Sequence, residues 1–195
     1  MLAKLFIVAL SAIFIENVVF VKLLGVFPIF DEHKRIKTLF NMGAYVALVM
    51  VLSSSFMFLV NKFLIMRFNL TYLRIIIFVL IIVITMKLLD ILLMKLLTKI
   101  HNALKNYFPY VITNCAVLGI AIIIIDRGLS FFETIAYSFF SAVGFTLALI
   151  LILSIKEKLQ FCSVPKAFEG APILFIAIAL LAMAFMGFSG IKFPV

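Results

Sequence analysis

Six long apolar stretches dominate this sequence and limit what it can fold into. They cover approximately residues 2–24, 39–61, 70–94, 108–125, 131–155 and 172–191. A helix needs about 20 mostly apolar residues to cross the roughly 30 Å hydrocarbon core of a bilayer. The chain is also 67% hydrophobic and only 13% charged, whereas soluble domains carry about a quarter charged residues. The sequence therefore predicts an all-α integral membrane protein with six transmembrane helices.

Basic residues are distributed unevenly between the two ends of the predicted helices. Nine lysines and arginines fall near loops 1–2, 3–4 and 5–6, and six fall on the other side. Cytoplasmic loops carry the excess of Lys and Arg in membrane proteins. We therefore expect a multi-pass protein of the cytoplasmic membrane with both termini outside. The net charge of +9 could suggest nucleic-acid binding. Its uneven distribution between the loops argues instead for a protein placed in the lipid bilayer.

The second and fifth stretches indicate an internal duplication. MGAYVALVMVL (42–52) resembles VGFTLALILIL (143–153). Three spans separate matching helices, so they cross in opposite directions and the repeat is inverted. We expect a single transmembrane domain, residues 1–195, whose three-helix halves are about 1–98 and 99–195.

Polar residues interrupt the first and fourth stretches. Glu16 and Asn17 lie in the first, and Asn114 and Cys115 lie in the fourth. Asparagine side chains can bind backbone groups that a helix break leaves free. In inverted-repeat membrane proteins the functional site lies near the midplane, where interrupted helices of the two halves meet. Helices 1 and 4 are therefore expected to be interrupted there.

Glu16 is a candidate for ion coupling. A charged side chain at the bilayer centre costs at least about 2.5–3.5 kcal/mol, so it should face protein, a partner charge or water. Lys22 lies six residues away, on a different face of a regular helix, and is a poor partner. The alternative is a hydrogen-bonded carboxyl that holds helices together.

The two cysteines, Cys115 and Cys162, form no CxxC motif. A zinc or iron–sulfur site held by this chain alone is therefore not predicted. A free Cys is often only a small buried hydrophobe, and the residues alone leave Cys115 open between that and a functional role. The sequence contains no Walker loop, GxGxxG, catalytic triad or HExxH motif.

Six strings resemble, in the same order, the A-subunit family of the Rnf complexes. They are FIENVVFVKLLG (14–25), LTYLRIIIFVLIIVI (70–84), PYVITNCAVLGIAI (109–122), AVGFTLALIL (142–151), VPKAFEGAPI (164–173) and LAMAFMGFSG (181–190). TNCAVLG and AFMGFSG are fairly specific, and MGFSG favours the A-type protein over its E-type sister. The equivalent subunit of the sodium-translocating NADH:quinone reductases is the nearest alternative.

The resemblance implies a membrane subunit of an ion-translocating oxidoreductase. This subunit would have no catalytic activity when separated from the complex. Such complexes pass electrons between ferredoxin and NAD and couple this to movement of Na⁺ or H⁺. The subunit pairs with an E-type sister of opposite orientation, and the pair holds a [2Fe–2S] cluster within the membrane. Cys115 of the TNC motif would be one thiolate ligand of its iron, since such clusters are held by anionic sulfur. Flavins and NAD would belong to other subunits.

The chain departs from the family pattern after its first helix. The second cysteine ligand of the family lies in a string resembling GLCP, whereas this chain reads GVFP, with Phe27 at the Cys position. Phe cannot bind iron. The cluster then uses fewer cysteines and another ligand, or is lost or rearranged, or Phe27 is not the natural residue. A non-redox ion or small-solute transporter half is the alternative function, and a structural membrane scaffold is the third.

Overall fold

The described part of the chain is entirely helical in its regular structure. The computed structural model describes residues 7–26, 36–68, 71–96, 114–162, 165 and 168–190. Its six main helices are α1 (7–15), α2 (Ile36–Val60), α3 (Arg74–Leu96), α4 (Cys115–Asp126), α5 (Phe131–Leu159) and α6 (Ala171–Met186). These ranges contain no strand, which confirms the all-α prediction.

Three helices are long and apolar enough to cross a membrane. These segments are Asn41–Ile65, Arg74–Lys95 and Phe131–Leu159. Only a third of the α3 segment is buried, and its exposed side chains include Ile76 and Leu80. An apolar surface of this extent is stable when lipid surrounds it.

The first and fourth apolar stretches form shorter helices than continuous spans would give. Helix α1 ends in a π-helical turn at Ser11–Ile15, and residues 16–26 form turns and irregular backbone. Helix α4 has 12 residues, which corresponds to about 18 Å and is too short to cross the bilayer. Residues 97–113 lie outside the described part.

Close contacts at two glycines bring α1, α2 and α5 together. A Cβ at Gly43 of α2 would lie 2.3 Å from Oγ1 of Thr146 on α5. A Cβ at Gly144 of α5 would lie 3.1 Å from Cα of Ile13 on α1. Both glycines belong to the strings that match between the second and fifth stretches. Their missing side chains let α5 pack closely against α2 at Gly43 and against the end of α1 at Gly144.

A tight turn joins α4 to α5. Arg127 caps the C-terminus of α4, and Gly128 has a positive φ of 62°. Ser130 then starts α5 with a capping box, in which Oε2 of Glu133 accepts the backbone N–H of Ser130 at 2.9 Å. This turn fixes the position of Arg127 beside the end of α1.

Candidate functional site

Asn17 organises the break after α1. The side chain is fully buried, and its Nδ2 donates to the carbonyl oxygens of Ile13 at 2.9 Å and Gly144 at 3.0 Å. Its Oδ1 accepts the backbone N–H groups of Val19 at 3.0 Å and Phe20 at 3.3 Å. One amide therefore satisfies backbone groups on both sides of the break and ties the broken segment to α5.

Asn114 plays a similar part at the start of α4. Its Oδ1 accepts the backbone N–H of Ala116 at 3.0 Å, which caps the helix whose first residue is Cys115. The Asn114 side chain is deeply buried, with 6% of the residue exposed. Its Nδ2 has no hydrogen-bond partner among the described residues. A buried donor without a partner is costly, so this amide is ready to pair with a group outside them.

Gly25 and Cys115 bring the two interrupted stretches into contact. The backbone N–H of Gly25 donates to Sγ of Cys115 at 3.2 Å. Gly25 has a φ of 80°, and a Cβ there would lie 2.6 Å from Oδ1 of Asn114 and 2.7 Å from Cε2 of Phe145. Only glycine fits this left-handed and crowded position. The segment after α1 thus contacts the N-terminus of α4 at Gly25.

The two cysteines occupy different places. Cys115 is exposed at the start of α4, and Cys162 is exposed after the end of α5, where its Sγ donates to the carbonyl of Lys158 at 3.5 Å. No group of three or more His, Cys, Asp or Glu side chains that could hold a metal occurs in the described ranges. Phe27 lies outside these ranges, two residues beyond Gly25. The site therefore offers one thiol, at the surface.

This arrangement fits a group shared with another chain and does not fit one held by the described residues alone. An iron–sulfur cluster takes four ligands, commonly thiolates. Cys115 supplies one sulfur on an exposed face, next to a crowded glycine and a buried amide donor. N–H groups directed at sulfur are the usual surroundings of such clusters and influence their reduction potential.

Glu16 lies in a clamp with two residues near the α4–α5 turn. Its carboxylate forms an ion pair with Arg127 and accepts the hydroxyl of Tyr137 at 2.8 Å. The Arg127 guanidinium lies 5.5 Å from the centre of the Tyr137 ring. The hydrogen bond that Arg127 donates to Glu16 raises the pKa of Arg127 above its ordinary value. Both carboxylate oxygens of Glu16 are thus engaged by protein groups.

Sequence reasoning missed Arg127 as the partner of Glu16. The two residues are 111 positions apart, so no local spacing links them. A second ion pair, between Arg74 and Asp126 at 2.9 Å, lies beside it. The signal in the sequence was the acidic Glu16 within an apolar stretch. Such a residue needs a cation or a hydrogen-bond donor nearby, but its position does not identify which residue supplies it.

Comparison with known proteins shows the family of this chain. The family model described as "Rnf-Nqr subunit, membrane protein" matches residues 5–192. A relative from Acetobacterium woodii, named as the A-type subunit of a Na⁺-translocating ferredoxin:NAD⁺ oxidoreductase complex, is 40% identical over 185 residues, which are 95% of this chain and 96% of the relative.

Two further relatives carry a related name. The A-type subunit of an ion-translocating oxidoreductase complex from Azoarcus sp. is 38% identical over 93% of this chain and 94% of the relative. The protein of the same name from Syntrophotalea carbinolica is 36% identical over 96% of this chain and 97% of the relative. The resemblance read from the sequence is thereby confirmed: the chain belongs to the Rnf-Nqr family of membrane subunits.

Proposed function

We propose that the chain is the A-type membrane subunit of an Rnf-type complex. Such a complex couples electron transfer between ferredoxin and NAD to the movement of Na⁺ or H⁺ across the membrane. The names of relatives at 36–40% identity over nearly the full chain support this. The chain then acts with other subunits of the complex, which carry the flavins and NAD.

In this proposal Cys115 is one ligand of a [2Fe–2S] cluster shared with an E-type sister subunit inside the membrane. The bound cluster would supply one-electron transfer. The contact between the Gly25 N–H and Sγ of Cys115, at 3.2 Å, is the observation that carries the proposal. It brings the two interrupted stretches together at an exposed sulfur, where a second chain can approach.

Phe27 removes one of the cysteine ligands that the family pattern would supply. The GVFP string puts Phe at the position where the family pattern has Cys, two residues beyond the Gly25 amide. We infer that this chain contributes one thiolate and that the remaining ligands come from the sister subunit or from another residue. Cys162 is a poor substitute, because it lies after the end of α5, where its thiol donates to the backbone carbonyl of Lys158.

The inverted repeat and the orientation belong to the same proposal. Asn17 and Asn114 support the inverted repeat, because each side-chain oxygen accepts a backbone N–H from the turn that follows it. Gly43 and Gly144 support it further, because both occupy close contacts with a neighbouring helix. The proposed topology is one domain of two inverted halves, about 1–98 and 99–195, in the cytoplasmic membrane with both termini outside.

Electron paramagnetic resonance on the purified complex tests the cluster. We expect a [2Fe–2S] signal in the wild-type complex that disappears in Cys115→Ala and persists in Cys162→Ala, the matched control. A complex that lacks any such signal, or keeps it in Cys115→Ala, would contradict the cluster role. Mass spectrometry across residues 23–34 would establish the residue at position 27.

The alternative, a transporter half without a redox centre, depends on Glu16 as an ion ligand. The clamp argues against a free carboxylate, because Arg127 and Tyr137 engage both oxygens. We propose that Glu16 holds the segment after α1 on the α4–α5 turn. Ion-coupled activity that is lost in Glu16→Gln while electron flow persists, and is kept in Arg127→Gln, would instead give Glu16 an ion-coupling role within the redox complex. Ion transport by a complex without any iron–sulfur signal would favour the transporter role.

A further inference from the structure

An apolar groove lies between the last turns of α5 and the first half of α6. It has a volume of about 380 Å³ and is lined by seven aliphatic side chains. Ile155 and Leu159 contribute from α5, and Ile176 and Leu180 contribute from α6. Ile176 and Leu180 are themselves exposed, so the groove is open along the outer face of the helix pair. Such a surface suits a long apolar chain.

Charged residues are arranged around one end of the groove. Residues advance by about 100° per position in an α-helix, and Ile155 and Leu159 therefore define one face of α5. Lys156 and Lys158, in the last turn, then project about 80° to either side of that face, and Glu157 projects to the opposite side. The two lysine side chains therefore leave the helix at the borders of the groove face, and the Glu157 side chain leaves it on the opposite side.

The start of α6 lies at the same end. Its N-cap, Gly170, has no side chain with which to cap the helix, and Pro172 in the first turn has no backbone N–H. The N-terminus of a helix carries partial positive charge and free N–H groups, which favour an anion. Glu169, one residue before Gly170, is exposed. Among the described positions 155–162, 165 and 168–180, Glu157 and Glu169 are the two acidic residues.

We propose that this groove binds an anionic phospholipid, with one acyl chain along the aliphatic lining and the phosphate between Lys156 and Lys158. A basic end next to an apolar groove matches the two parts of such a lipid, since lysines near a membrane surface attract anionic headgroups. A quinone fits less well, because it carries no negative charge for the two lysines to attract. This inference is independent of the proposed electron-transfer role.

Native mass spectrometry of the full-length protein in detergent tests the proposal. The protein is incubated with phosphatidylglycerol or with phosphatidylcholine, and the bound lipid is counted after gas-phase release of the micelle. We expect preferential retention of phosphatidylglycerol. Lys156→Gln combined with Lys158→Gln should reduce that retention roughly 30-fold. Lys62→Gln combined with Lys95→Gln, on exposed lysines of other segments, should leave it unchanged.

A second variant fills the groove without changing charge. Ala177→Trp should remove retention of both lipids, whereas Leu80→Trp on the exposed face of α3 should not. Equal retention of the two lipids, or retention that survives both the lysine and the groove variants, would overturn the proposal. So would co-purification of a quinone, or of a partner helix crosslinked at Ala177, in place of the lipid.

Discussion

The backbone N–H of Gly25 donates to Sγ of Cys115 at 3.2 Å, although 90 residues separate them along the chain. This contact joins the end of the segment after α1 to the first residue of α4. It depends on a backbone shape that glycine adopts easily, with a φ of 80°. The sulfur that the family resemblance marks as a cluster ligand is thus oriented by a residue from the other half of the chain.

Gly25→Ala should destabilise the protein and release Cys115. An L-residue in the left-handed region costs about 1–2 kcal/mol, and the new Cβ would lie 2.6 Å from Oδ1 of Asn114, which adds about 1–3 kcal/mol of overpacking. We expect a loss of about 2–5 kcal/mol in the free energy of unfolding and faster maleimide labelling of Cys115. Denaturation in detergent and labelling rates measure the two effects.

Gly128→Ala is the matched control for this change. Gly128 also has a positive φ, of 62°, but a Cβ there would meet nothing within 4 Å. The control should therefore show only the backbone cost of about 1–2 kcal/mol and no change in Cys115 labelling. Equal losses in the two variants would show that the space around Gly25 is less restrictive than the structure indicates.

Asn17→Ala should be strongly destabilising. The substitution removes four hydrogen bonds from a fully buried side chain. Buried polar groups left unpaired cost about 1–3 kcal/mol each, and some of these carbonyls and N–H groups can find helical or other partners. We expect a loss of about 3 kcal/mol in the free energy of unfolding, measured by thermal or chemical denaturation in detergent.

Ser154→Ala provides the comparison for Asn17→Ala. The Ser154 hydroxyl donates to the carbonyl of Ile150 at 2.8 Å within α5. Removing it leaves that carbonyl in its helical hydrogen bond, so the change should be within about 0.5 kcal/mol. A loss at Asn17 no larger than that at Ser154 would rule out Asn17 as the organiser of the break.

The apolar stretches predicted the helices because a bilayer leaves the backbone few alternatives to helix. The ends of the helices depended on other forces. Helix α5 continues to Leu159, past the apolar stretch ending at 155, because lysine and glutamate are good helix formers outside the hydrocarbon. Helix α4 begins at Cys115 because Asn114 caps it.

The clamp around Glu16 was beyond sequence reasoning for a different reason. The charge predicted that a partner exists, but the partner was set by the packing of α1 against α5 and by the tight turn that carries Arg127. Neither is encoded in local spacing. The contact between Gly25 and Cys115 likewise required a fold in which two interrupted stretches meet, for which the sequence supplied only the two polar breaks.

Glu16 and Arg127 should behave as one unit in a double-mutant cycle. The side chains are 26% and 43% exposed, and pairs with this exposure typically contribute up to about 1 kcal/mol. Glu16→Gln and Arg127→Gln should therefore each reduce stability, and the double variant should lose less than their sum by about 0.5–1 kcal/mol. Denaturation of the four proteins in detergent measures the coupling.

The Arg74–Asp126 pair serves as the reference cycle for this coupling. Its carboxylate is 54% exposed, so solvent weakens the attraction and the coupling energy should be smaller. Additive effects at Glu16 and Arg127 would mean that the clamp contributes no interaction energy.

Asn114→Ser should separate the capping role of Asn114 from the role of its unpaired amide. Serine caps helices about as well as asparagine, whereas alanine loses about 1 kcal/mol. In the purified single chain, Asn114→Ser should therefore be within a few tenths of a kcal/mol of wild type, and Asn114→Ala should be less stable. Nδ2 has no partner among the described residues, so its loss costs nothing there.

If the sister subunit or its shared group pairs with Nδ2, Asn114→Ser should lower the thermal midpoint of the assembled complex while leaving that of the single chain unchanged. Equal midpoint shifts in the two preparations would restrict Asn114 to capping α4.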